Sequence, residues 1–527
     1  MRSREIVIKS EENLKTHISA HARTKPNHIA YKMIPSGETV TYKELEERSN
    51  QAAHLMRAEG LTRGDAVAIL LENHPRYYEL SWGADRSGLY YTCVSTRLSA
   101  QEATYIVENS GSKILFASQN TLPLAREIIA SLPDVALFVV DGQAEGAREY
   151  VAERDNQPNI PIADESQGAP MLYSSGTTGR PKGVKFDLPE QAIDEMDSLT
   201  AIAVDWFKYS GDMIYLSPAP MYHSAPLRWS MSGQKMGATI IVMEKFDAEL
   251  ALQLIEQEKV THSQWVPTHF VRMLKLPEEV RGRYDLSSHQ LTFHAAAPCP
   301  VPVKEAMMQW WGPIIYEFYA GTEFNGLTAI DPQEWLAHKG SVGKATFGTI
   351  HIMSDAGEEL PARKEGQIYF EGGSEFSYHK DLEKTRDAYN DQGWSSLGDI
   401  GWVDEEGYLY LTDRKSFMII SGGVNIYPQE IEDVIITHPQ VADVAVIGAP
   451  DEELGERLVA VVQPLVWEDR GTKMAESISE HVLASLGRMK LPRQIDFDQE
   501  LPRHATGKLY KRLLRDRYWE EAKKAAD

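Results

Sequence analysis

The chain has 527 residues, of which 42% are hydrophobic and 25% are charged, a composition typical of globular proteins. This length exceeds one compact core and predicts roughly three or four core-sized units. The 77 acidic residues outnumber the 54 basic ones, and the formal net charge of -23 argues against binding to nucleic acid or to an anionic membrane surface.

Cysteine usage and hydropathy narrow the class further. Cys93 and Cys299 are the only cysteines, and their wide separation excludes a disulfide scaffold and a zinc knuckle. The first fifteen residues are polar, unlike a signal peptide, and no run of about 18 apolar residues occurs to span a membrane. These features predict a cytoplasmic protein.

The first hundred residues alternate between helix and strand patterns. Thr41 and Glu44 form a capping-box signature, which predicts a helix through about residue 58. Residues 66–71 form a short apolar run of the buried-strand type, followed by a helix pattern over 74–87 and a strand over 113–117. Such alternation predicts parallel sheets with helices packed on their faces.

The same alternation of helix and strand patterns occurs between residues 210 and 350, with apolar strand patterns at 213–216, 239–242 and 260–266. After about 350, short strands with turn signals at 366–370 and 407–411 predict a small antiparallel, barrel-like unit. A further set begins near 418: a helix from about Pro428, strands over 441–448 and 458–466, a helix over 477–486 and a basic C-terminal helix. The polar segment that joins the antiparallel strands to this further set predicts a hinge between two domains.

A loop rich in glycine and hydroxyl residues carries the strongest functional signal. Its sequence is Tyr173-Ser-Ser-Gly-Thr-Thr-Gly-Arg-Pro-Lys-Gly183. Glycines allow the backbone N–H groups to approach a phosphate, hydroxyls add donors, and a lysine supplies positive charge. The spacing does not match the P-loop of common NTPases, and no strand–G-x-G-x-x-G–helix unit of a nicotinamide dehydrogenase occurs.

This loop resembles the signature of the adenylate-forming superfamily, which includes acyl- and aryl-CoA synthetases, carrier-protein adenylation domains and beetle luciferases. Five further motifs occur in the family's order, so the resemblance covers nearly the whole chain. They are Pro218-Ala-Pro-Met-Tyr-His-Ser224, Tyr319-Ala-Gly-Thr-Glu323, Ser396-Leu-Gly-Asp-Ile-Gly401 with Thr412-Asp-Arg414, Ser421-Gly-Gly-Val-Asn-Ile-Tyr-Pro428 and Leu501-Pro-Arg-His-Ala-Thr-Gly-Lys508.

The resemblance implies a nucleotide site. Tyr319 would stack on adenine, Thr322 would contact the α-phosphate, Glu323 would bind Mg²⁺, and Asp399 with Arg414 would hold the ribose. Ala320 replaces the family's usual glycine. The full set of expected ATP- and AMP-binding residues is Ser174, Ser175, Gly176, Thr177, Thr178, Gly179, Lys182, Glu317, Phe318, Tyr319, Thr322, Asp399 and Arg414.

The resemblance also implies where chemistry, acid and thiol meet. Lys508 would be required for adenylation, and the expected catalytic residues are Lys508, Thr178, Glu323 and His223. The acyl pocket would be lined by His223, Trp265, Ala295 and Ala296, with apolar walls from Trp229 and Phe293. Gly422 and Gly423 would line the coenzyme A tunnel after the small domain rotates about Lys415 and Ser416. Serine at 416 departs from the family's usual aspartate or lysine.

These features predict an α/β enzyme with three parts: an N-terminal ATP- and acid-binding domain over residues 1–412, a hinge over 413–417 and a mobile α+β C-terminal domain over 418–527. The expected reaction is ATP- and Mg²⁺-dependent ligation of a hydrophobic fatty, alicyclic or aryl acid to coenzyme A. The absence of aspartate from the segments around Trp265 and Ala295 disfavours an amino acid. Two alternatives stay open: loading of a carrier protein's phosphopantetheine, and a nucleotide-binding regulator without catalysis. A homodimer is expected from relatives.

Overall fold

A computed structural model describes residues 16–174, 181–503 and 509–526. The strands are β1 Ile29–Ile34, β2 Thr39–Thr41, β3 Ala66–Leu70, β4 Tyr90–Cys93, β5 Ser112–Ala117, β6 Ala136–Val139, β7 Arg148–Glu149, β8 Ala169–Pro170, β9 Leu172–Ser174, β10 Lys182–Lys185, β11 Ile214–Ser217, β12 Thr239–Met243, β13 His262–Trp265, β14 Leu291–His294, β15 Ile315–Ala320, β16 Leu327–Ile330, β17 Ser341–Phe347, β18 Thr349–Met353, β19 Gly366–Glu371, β20 Ser377–Tyr378, β21 Asp399–Val403, β22 Leu409–Arg414, β23 Ile419–Ser421, β24 Val424–Ile426, β25 Val441–Asp451, β26 Gly455–Pro464 and β27 Gln494–Phe497.

The α-helices alternate with these strands over most of the chain. They are α1 Ile18–Thr24, α2 Tyr42–Ala58, α3 Arg76–Arg86, α4 Ala100–Ser110, α5 Leu122–Ser131, α6 Tyr150–Asp155, α7 Ser198–Asp205, α8 Ser224–Met236, α9 Ala248–Gln257, α10 Pro267–Leu274, α11 Glu278–Arg281, α12 Val301–Trp311, α13 Pro332–Ala337, α14 Leu382–Asp387, α15 Pro428–Ile435, α16 Thr472–Ser485 and α17 Lys511–Ala526. No helix among the described residues is long and apolar enough to cross a bilayer.

Two large sheets organise the N-terminal part. The first is parallel throughout, with strand order β7-β6-β5-β3-β4-β8. The second follows the order β18-β19-β21-β22-β17-β16-β15-β14-β13-β11-β12-β1-β2, and its pairing changes from parallel to antiparallel at β15. The predicted parallel α/β architecture is confirmed. The antiparallel strands expected after residue 350 are present as a continuation of the second sheet.

A layer of helices lies between these two sheets. One continuous apolar cluster joins Val67 and Phe116 of the first sheet, Trp82 of α3, Trp229 of α8 and Phe293 of the second sheet. Helices α4 and α5 cover the other face of the first sheet, and α9, α10 and α12 cover the other face of the second. Helix α2 begins as predicted, because Thr41 and Glu44 form the reciprocal capping box.

The C-terminal part is a smaller α+β unit. Strands β23 to β27 form a five-stranded sheet, and α15, α16 and α17 pack on it. Helix α16 begins at Thr472, directly after Gly471 and five residues before the predicted start. Ile431 and Ile435 of α15 belong to the same apolar cluster as Phe270 and Met273 of α10, so the two parts are packed against one another.

Lys275 is the polar counterpart of this packing. Its ammonium donates to the carbonyl oxygens of Ile436 at 3.3 Å, His438 at 3.4 Å and, closer still, Val441. These carbonyls follow the C-terminal end of α15, where the helix dipole favours a cation. Burial lowers the pKa of Lys275 to about 8. One lysine of the N-terminal part therefore binds three carbonyls of the C-terminal part.

Replacing Lys275 by methionine should loosen this contact, because three buried carbonyls lose their charged donor, at a cost of about 1–3 kcal/mol. Hydrogen exchange followed by mass spectrometry should become faster in residues 436–441 than in the first sheet. Lys259→Met is the matched control, because that lysine is 64% exposed and its ion pair with Asp285 is long, at 3.8 Å. Equal exchange in both variants would contradict the role of Lys275.

Candidate active site

Two predicted residues bind the carboxylate of a third, Asp399. Tyr319, near the end of β15, donates its phenol to Asp399 Oδ2 at 2.7 Å, and Arg414 Nε donates to Asp399 Oδ1 at 3.0 Å. Asp399 begins β21 and pairs in register with Arg414 at the end of β22. Burial and then the charge of Asp399 hold the pKa of Tyr319 well above its ordinary value. Tyrosine and arginine thus fix both oxygens of one carboxylate.

A second carboxylate lies at the end of the glycine-rich loop. Glu323 Oε1 accepts hydrogen bonds from Tyr378 at 3.0 Å and from Ser174 at 3.4 Å. Lys182 pairs with Ser174 across β9 and β10, and its ammonium lies 4.6 Å from the centre of the Tyr378 ring. Burial lowers the pKa of Lys182, and the charge of Glu323 opposes that shift. The strands that flank the loop therefore bring Lys182, Ser174 and Glu323 together.

Close packing fixes the segment between these two carboxylates. A Cβ at Gly321 would lie 2.1 Å from Leu397 and 2.9 Å from Glu323 Oε2, so no larger residue fits without movement. Thr322 is half-buried beside it. The glycine allows the chain leaving β15 to approach residues 396–399, which places Tyr319 and Glu323 on the same edge of the sheet.

The carboxylate of Glu317 has buried partners. It pairs with Lys304 at 2.6 Å and lies 3.3 Å from His294 Nε2, and all three side chains are buried. Burial raises the pKa of Glu317, but the charges of His294 and Lys304 outweigh it and lower that pKa to about 2. The carboxylate joins β15 to α12 and β14. Glu317 stays a predicted nucleotide-binding residue, and its side chain is engaged by these two partners.

Phe318 points to the opposite face of β15, because side chains alternate along a strand. It packs 5.4 Å from Trp229 and 5.9 Å from Phe293, while Phe207 lies 4.5 Å from Phe293. Ala295 belongs to the same buried cluster. Phe318 therefore contributes to the apolar wall expected for the acid, and its side chain lies away from the predicted nucleotide side.

Trp265 was expected in that wall, and the structure places it elsewhere. Its ring contacts Trp311 at 5.7 Å and Phe270 at 6.4 Å, and its indole N–H donates to Ser263. These partners belong to the cluster on the far face of the second sheet. In β13 the residues at 262 and 264 face the helix layer between the sheets, so those at 263 and 265 face away from it. Trp265 therefore does not line the predicted pocket.

The remaining pocket residues lie near the carboxyl ends of the strands. His223 is the N-cap residue of α8, and its ring lies 4.6 Å from that of Tyr222. Ala296 is exposed, with φ of 77°, directly after β14 and Ala295. The structure therefore places His223, Ala295 and Ala296 at element ends, the usual position of binding residues in parallel α/β sheets.

The predicted tunnel and hinge residues lie in the C-terminal part and at its junction. Gly422 and Gly423 form the turn between β23 and β24, and both are exposed, with positive φ. Lys415 and Ser416 lie in a single exposed 3₁₀ turn directly after β22. The predicted residues Ser175, Gly176, Thr177, Thr178, Gly179 and Lys508 fall outside the described residues.

Sequence reasoning missed three contributors: Tyr378, Lys304 and Phe207. Tyr378 binds Glu323 from 55 residues away in a segment without a motif, and Lys304 lies in α12, a mostly apolar helix whose other charged residue is Glu305. A lysine in such a helix was a usable signal, because a buried lysine needs a partner.

The donor set can be compared with the needs of a metal. Among the described residues, no group of three or more histidine, cysteine or acidic side chains could hold a metal by itself. Mg²⁺ that arrives on a nucleotide needs only one or two protein carboxylates, with water and phosphate completing its shell. Glu323 is a buried carboxylate beside Lys182 and a loop rich in donors, so it fits that requirement.

Comparison with known proteins agrees with this geometry. Residues 18–377 match the AMP-binding enzyme family, and residues 430–508 match the AMP-binding enzyme C-terminal domain. The chain belongs to the AMP-binding enzyme family. It is an AMP-forming acid–CoA ligase, which uses ATP, Mg²⁺ and coenzyme A and forms an acyl-CoA through an acyl-adenylate.

Individual members of the family resemble the chain over nearly its full length. The long-chain-fatty-acid–CoA ligase FadD13 of Mycobacterium tuberculosis is 32% identical, over 96% of this chain and 99% of its own. The fatty acid–[acyl-carrier-protein] ligase ScoC of Streptomyces coeruleorubidus is 30% identical, over 95% of each chain. The crystal structure of ATP-bound MatB from Rhodopseudomonas palustris superposes with a TM-score of 0.77 at 26% identity, covering 95% of this chain and 99% of MatB.

Replacing Tyr319 by phenylalanine keeps the ring and removes only the hydrogen bond to Asp399. The KM for ATP should rise by about 3- to 10-fold, because one charge-assisted hydrogen bond that orients the carboxylate is lost. Steady-state kinetics at saturating acid measure the change. Tyr408→Phe is the control, since it removes a phenol bond of 3.2 Å to Glu334 outside the predicted site. The same KM in both variants would remove Tyr319 from the nucleotide site.

Proposed function

We propose that the described cleft activates a hydrophobic carboxylic acid and then ligates it to coenzyme A, with the residues predicted above, other than Trp265, in the stated roles. The observation that carries the assignment is the joint fixing of Asp399 by Tyr319 and Arg414 beside a second site made by Glu323, Ser174 and Lys182. One carboxylate suits the hydroxyls of a ribose, and the other suits a metal on the phosphates.

In the first half-reaction, an oxygen of the acid attacks the α-phosphorus of ATP, and the bond to pyrophosphate breaks. The obstacle is repulsion between the carboxylate and the triphosphate. Lys182 and Lys508 would neutralise phosphate oxygens, Thr178 and Thr322 would donate to them, and bound Mg²⁺ would supply further charge neutralisation. In the second half-reaction, the coenzyme A sulfur attacks the acyl carbon and AMP leaves.

The acid would lie against the aromatic side of α8. His223 is the N-cap residue of the helix, and Trp229, Phe293 and Phe318 form a buried apolar wall. Such a surface stabilises an apolar acid by about 25 cal/mol per Å² removed from water. A fatty, alicyclic or aryl acid therefore fits this part of the cleft, and FadD13 and ScoC, which are named for fatty acids, support that class.

The two half-reactions require different groups at one place, and we propose that residues 418–527 rotate to provide them. Residues 413–417 would be the hinge, with Lys415 and Ser416 in its exposed turn. Lys508 would serve adenylation, and the exposed Gly422–Gly423 turn would enter for thioester formation. The size of the C-terminal sheet and its separate core support motion as one body.

The rotation makes two reciprocal predictions. Lys508→Ala should lower adenylation by about 100- to 1,000-fold, since a cation that faces developing charge is lost. Thioester formation from supplied acyl-adenylate should stay near the wild-type rate. Gly423→Trp should show the reverse pattern, because a large side chain would fill the tunnel. Single-turnover kinetics of each half-reaction give the answer, and equal losses in both halves of either variant would contradict the rotation.

Pyrophosphate release tests the whole assignment. Aliphatic, aromatic and alicyclic acids are supplied with ATP and Mg²⁺, each with and without coenzyme A. Release that requires an acid, with AMP and an acyl-CoA as products, supports the proposed function. Adenylate without an acyl-CoA would favour a carrier protein as acceptor, and a lack of release with every acid would favour the regulator.

We also propose a cytoplasmic location and a homodimeric assembly. The two cysteines are free thiols, one of them buried, which suits a reducing cytoplasm. A homodimer is proposed from the resemblance alone. Light scattering coupled to size exclusion would show whether the mass is that of one chain, 59.3 kDa, or twice that value.

A further inference from the structure

Arg228 lies on α8, the helix that also carries Trp229 of the proposed acid cleft. Arg228 is half-buried between Leu227 and Trp229, both of which belong to the apolar cluster between the sheets. Its guanidinium lies 5.5 Å from the centre of the Phe324 ring. Phe324 directly follows Glu323, so Arg228 lies next to the segment that carries the proposed metal-binding carboxylate.

Asp197 is the carboxylate whose charge acts on Arg228, and it already has other partners. Asp197 caps α7 by accepting from Thr200 N at 2.9 Å, and it pairs with Lys235 at 2.5 Å. Within the described parts of the chain, no carboxylate oxygen lies within ion-pair distance of the Arg228 guanidinium, whose recorded contact is the Phe324 ring. Among the described residues, Arg228 therefore contacts an aromatic ring and no carboxylate.

An arginine in such a place carries an energetic cost. Burial lowers the pKa of Arg228, and the charge of Asp197 opposes the shift, but a guanidinium stays protonated in proteins. A partly desolvated charge without a counter-ion is unfavourable, and a bound anion would remove that penalty. The planar guanidinium can also donate two parallel hydrogen bonds to a carboxylate, which an apolar acid tail would leave unused.

An aromatic cluster packs against α8 at Trp229. Phe207, Phe293, Phe318 and Trp229 contact one another at ring distances of 4.5 to 6.0 Å, and each is at most 7% exposed. These rings form one closely packed apolar surface. Arg228 follows His223 by five residues on α8, about 7.5 Å of helix rise.

From these observations we propose that Arg228 binds an anionic oxygen group of the acid other than the reacting carboxylate. The inference rests on the proposed function and narrows its substrate to acids that carry a second carboxylate or a similar group. The apolar wall would then contact the carbon skeleton between the two acidic groups.

Matched pairs of acids test the proposal: hexanoate against adipate, and benzoate against terephthalate. Pyrophosphate release gives kcat/KM for each acid with the wild type, Arg228→Met and Arg228→Lys. The wild type should prefer the diacid of at least one pair. Arg228→Met should lower kcat/KM for that diacid by about 10- to 100-fold and leave the monoacid within about threefold, because one charge-assisted contact is lost. Arg228→Lys should lie between them.

Arg281→Met is the control, since Arg281 is also half-buried over a ring, 5.7 Å from the Trp310 centre, but lies on α11 outside the cleft. It should leave the preference unchanged. Thermal unfolding of each variant separates misfolding from lost recognition, and Arg228→Lys retains the test if the methionine variant unfolds.

Three results would overturn the inference while pyrophosphate release still supports the proposed function. They are a wild type that prefers both monoacids, an Arg228→Met variant with unchanged preference, and an equal loss with mono- and diacids. The last would place Arg228 against the reacting carboxylate or a phosphate. No release with any acid by the wild type would instead reject the proposed function itself, and the inference with it.

Discussion

The position of β15 is the constraint on which the site depends. This strand pairs in parallel with β14 and antiparallel with β16, so the direction of the second sheet changes there. Ligands of open α/β sheets bind in the crevice outside the carboxyl ends of the strands. The chain that leaves β15 carries Tyr319, Gly321 and Glu323, and a glycine is needed where it passes Leu397. Every polar group of the candidate site is placed relative to this segment.

The same strand separates two chemical environments. Tyr319 and Glu317 lie on one face with buried charged partners, and Phe318 faces the aromatic cluster on the other. A polar nucleotide and an apolar acid can therefore meet at one strand end without sharing a wall. The carboxylates on the polar side are already oriented by hydroxyl and cationic donors. Such preorganisation reduces the rearrangement needed when a charged substrate binds.

Packing between the two parts of the chain adds a second level of control. The apolar cluster of α10 and α15, together with Lys275, stabilises the arrangement that the structure shows. Rotation of the C-terminal part would expose this surface and break these contacts. Under the proposed rotation, this interface would have to be exchanged during turnover.

Local sequence was sufficient for much of the fold and for the chemical class. The capping box of α2 and the apolar runs of β3 and β12 depend on neighbours only a few residues away, so their patterns predicted them. The order of the short motifs predicted the family, because each motif supplies its own backbone turn and functional groups. Element boundaries were less exact, as the early start of α16 shows.

Tertiary structure alone decided which face each buried side chain occupies. Strands β13 and β15 are buried within the second sheet and mix polar with apolar residues, so no regular alternation marks which side chains face the helix layer. For that reason the sequence could not exclude Trp265 from the pocket wall or place Phe318 in it. The partners of Glu317 and Glu323 were equally hidden, since Lys304 and Tyr378 reach them only after distant segments pack together.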